Sequence, residues 1–169
     1  QGVKKVCGVY VLVLKNRVVF FADTTMAIDP TAEELAEIAI LTADLVQHRF
    51  AMEPRIAMLS FSNFGSVDQP SPRKMQKAAQ LVKQLRPDLH RDGELQADTA
   101  LNADILAESY PFADVQGGAN MLIFPDLNSG NIAYKLIQRL AGAEVIGPIT
   151  CGMDKPANVL QRHSDLNDI

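Results

Sequence analysis

The sequence predicts an α/β fold, because runs typical of buried strands alternate along the chain with segments of helical periodicity. Residues 55–61 (RIAMLSF) and 120–124 (NMLIF) are short apolar runs, as expected for strands covered on both faces of a parallel sheet. Each run leads into a polar loop and then into a segment with apolar residues at helical spacing. This order is that of parallel βαβ units, and it predicts an α/β sandwich with a mostly parallel sheet.

Length and charge restrict the class of protein. The 169 residues suit one domain with a sizeable core, and 47% of them are hydrophobic. The formal net charge of -4 and the pI near 5.3 provide no basic surface for a nucleic-acid partner. The longest apolar stretch, residues 6–14, is too short for a membrane-spanning helix, so no membrane partner is expected. The two cysteines, Cys7 and Cys151, are predicted to be small core residues of a reduced, cytoplasmic protein.

The N-terminal part is predicted to be a β-hairpin followed by a helix. Residues 6–21 are rich in β-branched and aromatic side chains and are interrupted by a polar turn at 15–17. Residues 23–30 are expected to form a loop, which is the best candidate for a boundary within the domain. Thr31 and Glu34 have the spacing of a capping box that begins a helix. The expected buried stripe of this helix is Leu35, Ile38, Leu41, Thr42 and Leu45.

Three further helices are predicted from apolar periodicity and from residues that favour helix ends. Ser71 is the expected N-cap of the second helix, with Pro72 in its first turn and Pro87 after its end. Residues 97–108 are expected to form one helix, and residues 128–140 another. The apolar face of the second helix is expected to be Met75, Ala79, Val82 and Leu85. That of the last helix is expected to be Ile132, Leu136, Ile137 and Leu140. The remaining strands are expected at residues 92–96 and 144–149.

The loops that follow strands are the expected binding places, because ligands of open α/β sheets bind beyond the carboxyl ends of the strands. The first such loop, residues 60–66, combines hydroxyl, amide and glycine residues ahead of a helix. These groups can donate hydrogen bonds to an anion, or they can simply cap the helix that follows, and both interpretations stay open. The candidate ligand-binding residues here are Ser60, Ser62, Asn63, Gly65 and Ser66.

A second loop is acidic, with Asp92, Glu94 and Asp98 close together around Gln96. Its carboxylates can hold a cation or a substrate amide, or the loop can be a solvated acidic turn. The spacing is not that of a calcium-binding loop, and no metal site is predicted. Gln96 is a candidate ligand-binding residue.

The third loop, residues 125–131, follows the NMLIF run. Asp126 or Asn128 can cap the helix that begins there. Alternatively, the loop forms the floor of a pocket, with Asn131 and Lys135 on the first turns of the helix and the lysine within reach of an anionic group. All four residues are candidates for ligand binding.

Basic residues gather in a fourth segment, residues 152–163. Arg162 suits a phosphate or a carboxylate because its guanidinium donates two parallel hydrogen bonds, although a solvated surface position is the commoner case for an arginine. His163 is either a base or a surface residue. The residues alone therefore predict an α/β domain whose polar loops can bind an anionic small molecule.

Four motifs spread along the chain resemble those of one protein family. The segments MLIFPDLNSGNIAYKLIQRLAGAEVIGPI, GMDKPANVLQR, DGELQAD and SFSNFGS are similar to motifs of the phosphate acetyl/butyryltransferase family. The form SNFGS and the stretch FFADTTMAIDPTAEELAEIA resemble the versions found in large NADP-dependent malic enzymes. The resemblance identifies residues 1–169 as one phosphotransacetylase-like domain, which we expect to be cut from a longer protein at both ends.

The resemblance implies a fold and a reaction. The fold is the three-layer α/β/α architecture of the isocitrate/isopropylmalate-dehydrogenase type, usually in a homodimer. In active members the thiol of coenzyme A attacks the carbonyl carbon of acetyl phosphate, and inorganic phosphate leaves. An aspartate takes the thiol proton, an arginine holds the phosphate, and a serine hydroxyl stabilises the charge that develops on the carbonyl oxygen.

The catalytic motif of the family is only partly matched in this chain. Its arginine corresponds to Arg162 and its aspartate to Asp168, while Gln161 stands where the family has serine. Val159 and His163 also depart from the motif. Losing one hydrogen-bond donor to the carbonyl oxygen commonly costs about 3 kcal/mol of transition-state stabilisation. The resemblance completes the set of candidate ligand-binding residues with Asn158, Gln161 and Arg162.

The leading expectation is therefore a regulatory module. It binds acetyl-CoA or another acyl-CoA, holds a homo-oligomer together and tunes a malic enzyme catalytic region of the same protein. That region, outside this sequence, uses NADP and a divalent metal to decarboxylate malate to pyruvate. The alternatives are an active phosphate acyltransferase, which moves an acetyl group between coenzyme A and phosphate, and a dimerisation domain with a vestigial pocket. Whether the domain is itself an enzyme stays open.

Overall fold

The computed structural model describes residues 5–153, in which a single sheet is accompanied by helices. The strands in this range are β1 (Cys7–Leu14), β2 (Arg17–Ala22), β3 (Arg55–Leu59), β4 (His90–Leu95), β5 (Met121–Ile123) and β6 (Glu144–Cys151). The helices are α1 (Ala32–Phe50), α2 (Pro70–Leu85), α3 (Ala97–Leu101), α4 (Ala103–Ser109) and α5 (Leu127–Ala141). None of these helices is long and apolar enough to cross a membrane. The predicted α/β class is confirmed.

One strand of the sheet runs against the others. The spatial order is β4-β3-β5-β2-β1-β6, in which β4, β3, β5 and β2 are parallel neighbours. β1 pairs antiparallel with both β2 and β6, and Leu14 lies opposite Arg17 in the β1–β2 ladder. The sheet is therefore mostly parallel, as predicted. The carboxyl ends of β2, β3, β4 and β5 lie together at one end of the sheet, which we call its carboxyl end.

Two apolar clusters cover opposite faces of the sheet. Successive strand residues alternate between them, so that Phe20 belongs to one cluster and Phe21 to the other. The first cluster includes buried side chains of α1 and α2, such as Ile38 and Met75. The second includes side chains of α3, α4 and α5, such as Tyr134. Helices thus pack on both faces, which explains why the strands carry apolar residues on both.

The start of α1 confirms the predicted capping box. Thr31 N donates to Glu34 Oε2 at 2.9 Å, and Glu34 N donates to Thr31 Oγ1 at 3.2 Å. Of the predicted stripe, Leu35, Ile38 and Thr42 are buried, while Leu41 and Leu45 are only partly buried and pack against the first cluster. The local pattern therefore placed the start of this helix correctly and its buried face in part.

Two of the predicted helices differ from the structure, one at its ends and the other in its middle. α2 begins at Pro70 with Gln69 as N-cap, so Ser71 lies inside the helix and the prediction that it is the cap is wrong. Leu85, predicted to belong to the apolar face, is the last residue of α2 and is 63% exposed. The segment 97–108 is two helices, because Asn102 leaves the helical conformation and its side-chain oxygen accepts hydrogen bonds from the first turn of α4.

α5 turns a different face toward the sheet from the one its apolar pattern predicts. Its buried residues are Gly130 and Tyr134, and Ile137 is partly buried. The reason is a close approach at Gly130, where an added Cβ would lie 2.7 Å from the carbonyl oxygen of Asp23. The ring of Tyr134 then stacks on Tyr10 with centroids 4.3 Å apart. The other three residues of the predicted stripe are exposed: Ile132 by 56%, Leu136 by 53% and Leu140 by 83%.

Candidate functional site

The loops after β3 and β4 are joined at the carboxyl end of the sheet by a buried glutamate. We call residues 60–66, after β3, the serine loop. Glu94, near the end of β4, is 1% exposed, and its Oε1 accepts hydrogen bonds from Ser62 Oγ at 2.8 Å and from Gly65 N at 2.6 Å. Among the described residues, Glu94 Oε2 and Ser60 Oγ are buried without a hydrogen-bond partner. One carboxylate oxygen of Glu94 therefore holds the serine loop, while the other accepts no hydrogen bond.

The serine loop is also tied together internally. Ser62 Oγ accepts a hydrogen bond from Val67 N at 3.0 Å and lies 3.1 Å from Ser66 Oγ. Ser66 Oγ in turn accepts from Asn63 N at 3.0 Å. Gly65 has φ +82, in the left-handed region where glycine is favoured, as the tight turn requires. The backbone N–H groups of Asn63 and Gly65, which belong to the predicted anion-binding loop, are thus engaged within the protein, as is that of the following Val67.

Gln96 connects the serine loop to the start of α3. Its backbone N donates to Asn63 Oδ1 at 2.7 Å, and its side-chain Nε2 donates to the carbonyl oxygen of Phe61 at 2.7 Å. The structure therefore brings together Ser62, Asn63, Gly65, Ser66 and Gln96, which were candidate ligand-binding residues from two separate loops. Their ligand binding stays a prediction.

The three carboxylates of the acidic loop do not converge. Asp92 Oδ2 accepts hydrogen bonds from the backbone N of Asp114 at 2.6 Å and of Val115 at 2.8 Å. Burial raises the pKa of the Asp92 carboxyl above its usual value, against the effect of these two donors. Glu94 turns to the serine loop, and Asp98 is exposed on α3. Within residues 5–153 no group of three or more His, Cys, Asp or Glu side chains could hold a metal ion.

In the third loop, Asp126 caps α5. Its Oδ1 accepts hydrogen bonds from Ser129 N at 2.8 Å and from Ser129 Oγ at 3.1 Å, which confirms the capping interpretation. Asn128 is exposed on the first turn of α5. Asn131 Nδ2 donates to the carbonyl oxygen of Thr24 at 3.3 Å. Lys135 is exposed, with its Nζ 5.2 Å from the ring centroid of Tyr134.

Lys74 is a connecting residue that sequence reasoning missed. Its Nζ donates to Asp29 Oδ1 at 2.8 Å and to the carbonyl oxygen of Pro125 at 2.9 Å. It thereby ties α2 to the loop 23–30 and to the loop after β5. The three residues are far apart in sequence, and no local pattern marks such a lysine in advance.

The loop 23–30 is organised around a buried carboxylate. Asp23 is 2% exposed and accepts hydrogen bonds from the backbone N of Thr25, Met26 and Ala27, at 2.6, 3.1 and 3.1 Å. The loop is also bonded to α5 through Leu127 N and the carbonyl oxygen of Ile28, at 3.1 Å. A domain boundary in this loop stays a prediction.

The remaining candidates lie outside the described residues. They are Asn158, Gln161, Arg162 and Asp168, which include the two residues with predicted catalytic roles. Strand β6 ends at Cys151, shortly before them in sequence.

Comparison with known proteins assigns the chain to a family. The chain belongs to the phosphate acetyl/butaryl transferase family, whose model matches residues 1–169. This confirms the family that the sequence motifs indicated.

Relatives in this family include both a transferase and a larger enzyme. A phosphate acetyltransferase of Clostridium acetobutylicum is 44% identical over 174 residues, covering 99% of this chain and 52% of that protein. An NADP-dependent malic enzyme of Haemophilus influenzae is 43% identical over 160 residues, covering 95% of this chain and 21% of that protein. The chain thus spans about half the length of the first relative and about a fifth of the second.

Solved structures share the arrangement of the chain. The crystal structure of a phosphotransacetylase from Streptococcus pyogenes matches with a TM-score of 0.93 at 44% identity, over 99% of this chain and 51% of that one. A phosphotransacetylase from Staphylococcus aureus matches with a TM-score of 0.93 at 34% identity, over 99% of this chain and 52% of that one.

Proposed function

We propose that this domain is the phosphotransacetylase-like part of an NADP-dependent malic enzyme and binds acetyl-CoA or a related acyl-CoA as a regulatory ligand. The observation that carries the proposal is Gln161, which stands where the motif of the family has serine. The similarity to the Haemophilus influenzae malic enzyme supports the assignment to a larger protein. In the proposed full-length protein, which is cytoplasmic, a catalytic region outside this sequence oxidises and decarboxylates malate with NADP and a divalent metal.

The proposed architecture is the three-layer α/β/α fold of the isocitrate/isopropylmalate-dehydrogenase type, with β1 and β2 as its N-terminal hairpin. Support comes from the helices on both faces of the sheet and from the antiparallel pairing of β1 with β2. In this architecture the ligand lies beyond the carboxyl end of the sheet. The loops gathered there are the serine loop, the turn at Gln96 and the start of α5.

The ligand contacts are proposed at that end of the sheet. Lys135, on α5, and Arg162, in the segment that follows β6 in sequence, supply positive charge for the phosphates of coenzyme A. Ser60 is a further candidate, because its buried hydroxyl has no hydrogen-bond partner among the described residues. The other donors of the serine loop shape the pocket, since Glu94 and Ser66 already engage them.

A homo-oligomer, at least a dimer, is the second part of the proposal. The exposed face of α5 carries three large aliphatic residues at helical spacing: Ile132, Leu136 and Leu140. A contiguous apolar face of this kind is typical of a surface that another subunit covers. The domain then serves assembly as well as ligand binding.

The alternative function is an active phosphate acyltransferase. Its support is the 44% identity with the Clostridium acetobutylicum phosphate acetyltransferase, together with Arg162 and Asp168 at matching motif positions. In that mechanism Asp168 takes the thiol proton of coenzyme A, Arg162 holds the phosphate, and the amide of Gln161 replaces the serine hydroxyl as donor to the carbonyl oxygen.

Two measurements on the full-length protein separate these functions. Calorimetric titration with acetyl-CoA should show binding that weakens at least about tenfold in Arg162→Ala, because a charge-assisted contact is lost. The wild type should form acetyl phosphate from acetyl-CoA and phosphate no faster than Arg162→Ala does. Binding without transfer supports the regulatory module, whereas transfer that Arg162→Ala abolishes supports the acyltransferase. Absence of both supports a dimerisation domain with a vestigial pocket.

A further inference from the structure

Two cysteines that are far apart in sequence are direct neighbours in the sheet. Cys7 lies opposite Cys151 in the antiparallel ladder of β1 and β6, and both thiols are free. Residues opposite each other in such a ladder have Cα atoms about 4.5–5.5 Å apart. Disulfides form between Cα atoms about 4.4–6.8 Å apart, so the backbone already has a spacing that a disulfide accepts.

The two thiols have different surroundings. Cys7 is completely buried, whereas Cys151 is 7% exposed on β6, the edge strand of the sheet. The hydrogen bond from the Cys7 thiol lowers the pKa of Cys151, while the same contact and burial raise the pKa of Cys7. The Asp23 carboxylate opposes ionisation of both sulfurs. Cys151 is therefore the sulfur that ionises more readily and lies nearer the solvent.

We propose that Cys7 and Cys151 form an oxidative modification site, in which hydrogen peroxide converts the two thiols into a cross-strand disulfide. The Cys151 thiolate attacks one peroxide oxygen, the O–O bond breaks, and hydroxide leaves as Cys151 becomes a sulfenic acid. The Cys7 sulfur then attacks the Cys151 sulfur, the S–O bond breaks, and the hydroxyl leaves with the Cys7 proton as water. Each peroxide molecule takes two electrons and yields, in total, two molecules of water once the hydroxide is protonated.

The cross-link has a structural consequence. It joins the edge strand β6 covalently to β1 and closes a loop that contains nearly all of the described chain. A long closed loop restricts the unfolded chain, so the oxidised protein is expected to unfold at a temperature at least about 5 °C higher. In sequence, β6 leads directly to the segment that contains Arg162, so oxidation anchors the strand that precedes this candidate residue.

Peptide mapping of the full-length protein tests the site directly. The native protein is treated with hydrogen peroxide, alkylated, and digested with trypsin without reductant. Trypsin cuts after Lys5, Lys15 and Arg139, so Cys7 and Cys151 fall on separate peptides unless they are linked. The expected product is a linked peptide that dithiothreitol separates, together with the rise in unfolding temperature.

Single variants identify the order of the steps. In Cys7→Ala, a sulfenic-acid trap such as dimedone should label Cys151, because no second thiol resolves the intermediate. In Cys151→Ala, Cys7 should stay unmodified. The proposal is overturned if wild-type Cys151 is oxidised to a sulfinic acid without a linked peptide, or if neither cysteine reacts under peroxide that oxidises glutathione. A linked peptide that forms only in urea also overturns it. The wild-type map decides the question even if a variant fails to fold.

Discussion

Glu94 accepts a hydrogen bond from Ser62 Oγ at 2.8 Å although the two residues are 32 positions apart. The same carboxylate oxygen accepts from Gly65 N at 2.6 Å, and the side chain is 1% exposed. Glu94 thus fixes the conformation of the serine loop from the neighbouring strand.

Replacing Glu94 should release this loop. Glu94→Ala removes the acceptor of the buried Ser62 hydroxyl and of the part-buried Gly65 N–H, and is expected to lower the free energy of unfolding by about 2 kcal/mol. Glu94→Gln keeps an acceptor oxygen and should retain most of the stability. Urea denaturation followed by circular dichroism measures both, with Asp98→Ala as the control at an exposed acidic position. Equal loss in Glu94→Gln and Glu94→Ala would show that the acceptor geometry does not hold the loop.

Gly130 should tolerate no side chain. A Cβ there would lie 2.7 Å from the carbonyl oxygen of Asp23 and 3.2 Å from Thr24 Cγ2, so α5 must move away from the loop. Gly130→Ala is expected to destabilise the fold by about 1–3 kcal/mol, even though alanine favours helix. Thermal unfolding measures the change. A stabilised Gly130→Ala protein would contradict the close packing of α5 on loop 23–30.

The exposed face of α5 should control assembly. Leu136→Glu places a charge in the proposed subunit contact and is expected to shift the full-length protein to smaller species in sedimentation velocity. The fold of each subunit should stay intact, because the side chain of Leu136 is 53% exposed. Gln138→Glu adds the same charge at another exposed position of α5 and should leave the assembly unchanged. An unchanged oligomer in Leu136→Glu would exclude this face from the contact.

Asp92 should make stability depend on pH in an unusual direction. Burial raises its pKa in the folded protein, so its contribution to stability is full below the unfolded pKa and is lost as the pH rises through the folded pKa. Asp92→Asn removes the charge but keeps an oxygen for the N–H groups of Asp114 and Val115. The variant should therefore gain stability relative to wild type between about pH 4 and pH 7. Urea denaturation across this range measures the difference, and a relative loss toward pH 7 would contradict it.

Local patterns predicted what short-range chemistry decides. The capping box of Thr31 and Glu34 satisfies backbone groups within one turn, so the start of α1 could be predicted from the sequence. The run at 55–61 has the apolar composition of a strand covered on both faces, so strand β3 could be predicted as well. Asp126 was likewise one of the two residues that its loop offered as a cap of α5, and the structure shows that it is the cap. The family motifs identified the family, while the reaction and its residues stay predictions.

Long-range contacts decided the rest. Periodicity placed Ile132 inward, but the approach of Gly130 to Asp23 rotates α5 so that Tyr134 faces the sheet. An acidic cluster indicated a solvated turn or a cation site, and only the fold brings Glu94 to the serine loop. The pairing of Cys7 with Cys151 depends in the same way on the position of β6 beside β1. No local pattern encodes any of these contacts.

Acyl-CoA sensing by this domain is tested most directly by the rate of malate oxidation by the full-length protein as acetyl-CoA is titrated at fixed malate, NADP and divalent metal. Wild type should change its rate with increasing acetyl-CoA, and Arg162→Ala should need at least about tenfold more acetyl-CoA for the same change. A rate that ignores acetyl-CoA in wild type would contradict the proposal that this domain senses an acyl-CoA.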